Sequence, residues 1–249
     1  MKRLLAIILV TLTILLSVSA SVGESAECED TYLFTIREAN YETNRIALTM
    51  DDCYEIDQVL RTVELCEKYG VAVTFFPLGQ QIFPEDREVW QRAIDAGCEI
   101  GSHTYFHNYM YHLPTITIIS SLRRTQQALD EALGYHYEIR WVRPPFGKIK
   151  DPNGTEGSSR VVAAIRKAGY QHVVTWNVSQ TDPVKAVKQI QPGCVALYHA
   201  RNKDVNCLDT IIPQLLEMGY EPVTLSELLG FAPPEISDEK YVYNEDDYR

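Results

Sequence analysis

Apolar and polar positions along this chain repeat one arrangement: an amphipathic segment ends in Gly, and a short apolar, β-branched run follows. Ile56, Val59, Leu60, Val63 and Cys66 fall at helical spacing and stop at Gly70, before VAVTFF at 71–76. Gly97 precedes CEIGS, Gly134 closes a helix expected from Thr117, Gly169 closes VVAAIRKA, and Gly219 closes a stretch carrying Leu208, Ile211, Ile212, Leu215 and Leu216. Strands are expected after these glycines near 138–143, 171–177 and 221–224, and also at IALTM (46–50) and CVALYH (194–199). About seven βα units result, which predicts an α/β fold: a parallel sheet with right-handed crossovers, closed or nearly closed into a barrel. An open doubly wound sheet fits the same periodicity.

The remaining segments set the boundaries. KIKDPNGTEGSS (148–159) reads as a surface loop over one rim of the sheet. The first twenty residues join Lys2 and Arg3 to an apolar run from Leu4 to Leu16 and to Val18-Ser19-Ala20, the pattern of a secretory signal peptide cleaved after Ala20. Left uncleaved, that run would tether the domain to a membrane, and either way the domain is expected to be secreted or at the cell surface. Residues 21–43 form a weakly patterned lead-in, 44–231 the domain, and 232–249 an acidic, disordered tail.

Composition narrows the partners. The formal charge of −11 becomes 21 − 34 = −13 without Lys2 and Arg3, and no basic stripe with interleaved aromatics is present, so nucleic acid is not an expected partner. A monomer is expected. The six cysteines lack any CxxC pair, which disfavours a closed zinc knuckle, and their spacing selects none of the 15 possible pairings of three bridges.

Residues suited to chemistry fall at the C-terminal ends of the expected strands, the edge where parallel sheets and barrels place their sites. Asp51 and Asp52 are adjacent carboxylates after an apolar strand, suited to a metal ligand beside a base, or else to capping the helix that follows. His103 and His107 are four apart, a separation that aligns them on a helical turn or on one face of a strand; with one carboxylate they form a set suited to Zn²⁺ with an open position, though an isolated pair also suits two ordinary histidines. Arg143 begins a proline-stiffened RPPFG turn. His199 ends an apolar strand, a position equally suited to a core histidine, while His112, His136 and His172 read as structural.

Taken in order, Thr49-Met50-Asp51-Asp52, His103-Thr104-Tyr105-Phe106-His107, Arg143-Pro144-Pro145-Phe146-Gly147, Trp176 through Asp182 and Leu197-Tyr198-His199 resemble the five motifs of the polysaccharide deacetylases, the NodB-homology or carbohydrate esterase family 4 enzymes. The resemblance runs over residues 44 to 230 and implies a distorted (β/α) barrel with one divalent metal, most often zinc, with cobalt or nickel as substitutes. It implies Asp52, His103 and His107 as metal ligands, Asp51 as general base, Arg143 and Asp182 as residues that orient or tune that base, and His199 as general acid. The Phe146 N–H would face the oxyanion and Leu197 the acetyl methyl.

The implied substrate is an N-acetylated polysaccharide, peptidoglycan or a chitin-like polymer; an O-acetyl esterase and a non-catalytic carbohydrate-binding pseudoenzyme are the alternatives. Cys53 stands where the family has Gly, Met50 where it has Phe, and Ser179 and Pro183 where it has Asp and Trp. A disulfide from Cys53 to Cys207 across the rim is conceivable.

Overall fold

The computed structural model describes residues 35–39, 42–150 and 156–238. The proposed signal peptide, most of the lead-in, residues 151–155 and the last eleven residues of the tail lie outside them. In chain order the strands are β1 (Thr35–Ile36), β2 (Arg45–Asp52), β3 (Thr74–Pro77), β4 (Glu99–Ile100), β5 (His136–Tyr137), β6 (Trp141–Val142), β7 (His172–Val174), β8 (Val195–His199), β9 (Glu221–Val223) and β10 (Ile236–Ser237). The helices are α1 (Ile56–Tyr69), α2 (Arg87–Asp95), α3 (Thr115–Leu133), α4 (Glu156–Lys167), α5 (Pro183–Gln189), α6 (Asn202–Glu217) and α7 (Leu225–Leu229).

Strand β2 is the axis of the assembly. Its C-terminal half pairs in parallel with β3 and with β8, and its N-terminal end pairs with β9. From β3 the pairing passes to β4, and a parallel bridge from Ser102 to Val142 leads on to β6 and β7. A second bridge, Val178 to Ala196, returns to β8. The pairings thus run around a circuit, a distorted barrel, that takes in six of the seven expected strands, while the seventh, β9, pairs with β2 beside it.

Alternation along each strand separates two apolar layers. Ile46, Leu48 and Met50 of β2, with Phe75, Val142, Val173, Ala196 and Tyr198, pack outward under the helices, where Val59, Val63 and Cys66 of α1 meet them. Ala47, Phe76, Trp141, Val174 and Val195 turn inward and meet Leu225 and Leu228 of α7, which plugs the barrel at the end where its strands begin. Gly101 fits this tight interior because a Cβ there would lie 2.4 Å from the Phe76 ring.

Three sequence readings need correction. The expected 148–159 loop is shorter, because α4 starts at Glu156; Val161, Ala164 and Ile165 are buried at helical spacing, and the polar first turn ahead of them leaves no apolar signal. The domain begins before residue 44, since β1 pairs in parallel with β7. It also continues past residue 231: β10 pairs antiparallel with β5, and Glu138 N–H donates to the Glu235 carbonyl at 2.9 Å. Neither β1 nor β10 sits in an apolar run that the sequence pattern would mark as a strand. No helix among the described residues is long and apolar enough to cross a membrane.

Candidate active site

The alternation that builds the core also delivers the polar groups. On β2, Ala47 faces inward and so do Thr49 and Asp51; on β8, Val195 is followed inward by Leu197 and His199; after β6, Trp141 is followed inward by Arg143. Asp52 should then point outward, away from Asp51. Instead its backbone takes a left-handed φ of 67°, as does Cys53 at 55°, and the strand turns so that both carboxylates enter the same rim. Neither serves as a helix cap, since the N-cap of α1 is Glu55.

His103 and His107 lie on neither a helix nor a strand. Left-handed residues at Thr104 (φ 68°) and His107 (φ 58°) fold 103–107 into a loop that brings the rings to 4.9 Å between centroids. Nε2 of each ring lies 3.6 Å from Asp52 Oδ1. The Nδ1 of His103 is 2.8 Å from the Arg143 carbonyl, which can only accept, so Nδ1 carries the proton and Nε2 presents its lone pair. Asp52 Oδ1 is buried with no hydrogen-bond partner.

These features fit a metal ion. Asp52, His103 and His107 bring their ligand atoms within 4.8 Å of one another. Two donors on a tetrahedral ion with bonds of ~2.1 Å would stand about 3.4 Å apart, close to the 3.6 Å between each imidazole and the carboxylate. The pKa of His107 is lowered by burial and by His103, against the attraction of Asp52 and Asp51, which favours the neutral ring that ligation requires.

Asp51 is held differently. The fully buried Arg143 donates through Nη1 to Asp51 Oδ1 at 2.7 Å and to Thr49 Oγ1 at 2.6 Å, and through Nη2 to the Thr175 carbonyl at 3.2 Å. Burial pulls the guanidinium's pKa down while Asp51 holds it up, so each charge is the condition for the other's burial. Asp51 Oδ2 lies 3.7 Å from His103 Nε2.

The rim carries the remaining expected residues except Asp182. Phe146 sits at φ 60° and is 44% exposed as a residue, its ring stacked on Tyr109 at 3.9 Å and 4.6 Å from the His107 ring. Leu197 is buried between β2 and the 178 segment, and His199, opposite Asp51 in register, is one-third exposed. Asp182 does not reach Asp51: it caps α5, its Oδ1 accepting the Lys185 N–H at 3.1 Å. The proline at 183 makes this an ordinary helix start and turns the carboxylate to that task.

Two further side chains had no sequence signal. Arg201 donates through Nη2 to Asp52 Oδ2 at 2.9 Å, so the second oxygen of the orphaned carboxylate is taken from outside. Asp204, buried in the first turn of α6, accepts the His199 N–H at 3.3 Å and lies 4.0 Å from His199 Nδ1. Both follow His199 closely, where a polar helix start masks them. Cys53 and Cys207 are free thiols, so the conceivable bridge is absent; burial and the two aspartates push the Cys53 pKa well up, leaving it a protonated thiol.

The strand ends of this barrel hold a His-His-Asp cluster able to take a metal ion beside an arginine-clamped carboxylate. The polysaccharide deacetylase family model matches residues 38–173, more than half of the chain, and the chain belongs to that family. It is 28% identical over 200 residues to a peptidoglycan-N-acetylglucosamine deacetylase of Bacillus cereus, covering 75% of this chain and 88% of that one. It is 26% identical over 196 residues to the PgdA peptidoglycan-N-acetylglucosamine deacetylase of Listeria monocytogenes, covering 75% of this chain but 39% of the relative, so it spans well under half of that protein. Among solved structures, a reactivated mutant of a Bacillus anthracis CE4 family pseudoenzyme superposes with a TM-score of 0.68 at 26% identity, covering 79% of this chain and 71% of that one.

Proposed function

We propose that the chain is a metal-dependent hydrolase that removes acetyl groups from an N-acetylated polysaccharide, with peptidoglycan as the polymer. One observation carries the reading most: Asp52 Oδ1 is buried without a partner between two imidazole nitrogens, while Arg143 clamps its neighbour Asp51. A divalent cation held by Asp52, His103 and His107, most readily Zn²⁺ with Co²⁺ or Ni²⁺ as substitutes, supplies Lewis acidity toward water and the acetamide oxygen.

Asp51 is the base. Arg143 occupies its Oδ1, so Oδ2, on the His103 side, takes the proton of the attacking water. Water oxygen adds to the acetamide carbon, and the Phe146 N–H donates to the oxyanion, held in place by its own left-handed turn. As the C–N bond breaks, protonated His199 donates to the departing sugar amine, and acetate leaves. Leu197 bounds the space for the methyl group. The apolar run before Ala20 and the wall substrates in the relatives' names support a site of action outside the cytoplasm.

Acetate release by purified protein, with and without Zn²⁺, from peptidoglycan, chitooligosaccharides and acetylated xylan tests this. Release that requires metal and falls ~10³-fold in both Asp51→Asn and His103→Ala is expected. Release from xylan alone would replace the amide by an ester. No release from any polymer with metal bound would make the chain a carbohydrate-binding pseudoenzyme.

A further inference from the structure

We propose that Asp204, in the first turn of α6, is the positioning residue that holds His199 in place as proton donor. The inference rests on His199 acting as the acid. A donor imidazole needs one nitrogen aimed at the leaving group and the other turned toward an acceptor that favours the charged ring. The inward face of β8 aims His199 at the site, and the acceptor on its other side is Asp204, which is buried, receives the His199 N–H and stands 4.0 Å from Nδ1. At 4.0 Å the pair is an ion-pair contact longer than a hydrogen bond. Among the described residues, the hydrogen-bond and ion-pair partners of Asp204 are the backbone and ring of His199.

Asp182, which the resemblance implies as a partner of the base, is the other acid to test, since its Oδ1 accepts the Lys185 N–H at the N-terminus of α5 and it makes no described contact with His199. Both acids lie near Cys207 on α6, so Asp182 stands close by yet turned to another task. A purely structural role for Asp204 is the competing explanation, since an acid in a helix's first turn that accepts an upstream N–H also stabilises the helix start.

Asp204→Asn separates the two, because the amide oxygen still accepts the His199 N–H while the charge is gone. The metal-loaded protein is assayed on a chitooligosaccharide and on 4-nitrophenyl acetate. The sugar amine leaves only with a proton, whereas 4-nitrophenolate leaves without one. A kcat on the chitooligosaccharide ~10- to 100-fold lower is expected, with KM within about 3-fold, aryl ester turnover within about 2-fold, and partial recovery in Asp204→Glu. Asp182→Asn should keep amide turnover within about 3-fold. Equal losses on both substrates, an unaffected Asp204→Asn, or a larger loss in Asp182→Asn would overturn the proposal. If the wild-type protein hydrolyses no amide, the reading of function fails instead; imidazole nitrogen NMR then decides, with a His199 Nδ1 signal that shifts in Asp204→Asn supporting the contact and an unchanged one refuting it.

Discussion

The barrel holds buried carboxylates at both ends, and they are treated in opposite ways. Glu99, at the start of β4, accepts from Trp141 Nε1 at 2.8 Å, the Ser226 N–H at 3.0 Å, the Ser226 hydroxyl and Thr74 Oγ1. Asp52, at the end of β2, has one oxygen on Arg201 and the other with no partner. The backbone follows suit: Asp52, Cys53, Thr104, His107 and Phe146 all have positive φ, and all lie at the strand-end rim. A satisfied polar network closes and stiffens its end of the barrel, whereas an unsatisfied one on strained backbone is kept for a ligand.

The contrast can be broken by exchanging losses. Asp52→Asn is expected to weaken Zn²⁺ binding by more than ~10³-fold while metal-free stability changes by less than ~1 kcal/mol, measured by metal titration and urea unfolding. Stability loss comparable to a core mutation would mean that the rim carboxylate is structural after all. Glu99→Ala should do the reverse, costing about 3 kcal/mol by leaving Trp141 and Ser226 donors unpaired, with metal affinity of the folded protein unchanged.

Smaller effects sharpen it. Arg201→Ala should weaken metal binding by about tenfold, because Asp52 loses the contact that fixes its ligating oxygen, and calorimetric titration would show it. An unchanged affinity would make Arg201 a bystander. The pH response distinguishes the ends as well. Burial raises the pKa of Glu99 against the pull of its hydrogen bonds, so the folded state favours the protonated acid. Its contribution is therefore fully present below the unfolded carboxyl pKa and is lost as pH rises through the folded value. Urea unfolding of wild type and Glu99→Gln between pH 4 and 7 should show wild type losing ground to the variant as pH rises; parallel curves would contradict the raised pKa.

Much was legible before any coordinates. The helix-Gly-strand repeat and the two further apolar runs at 46–50 and 194–199 located seven parallel strands because both periodicities report burial directly, and the motifs named nine residues of which eight gather at one rim. The strands β1, β5 and β10 escaped, since no apolar run after a helix-closing Gly marks them as it marks the equally short β4 and β6. Asp182 stands apart from the other eight: a motif preserves identity and order, but Pro183 lets the same aspartate cap a helix.

The sequence by itself determined which side chains share a strand end, because alternation is local and Asp51, Leu197, His199 and Arg143 inherit their direction from the inward-facing residues two positions before them, Thr49, Val195, Leu197 and Trp141. Only the tertiary structure decided what could not be local. Left-handed turns at Asp52, Thr104 and His107 redirect ligands against the parity of their neighbours. Arg201 and Asp204 become partners of Asp52 and His199 through the path the chain takes after β8. Such contacts depend on the packing of α6 against the barrel, and no periodicity along the chain encodes that distance.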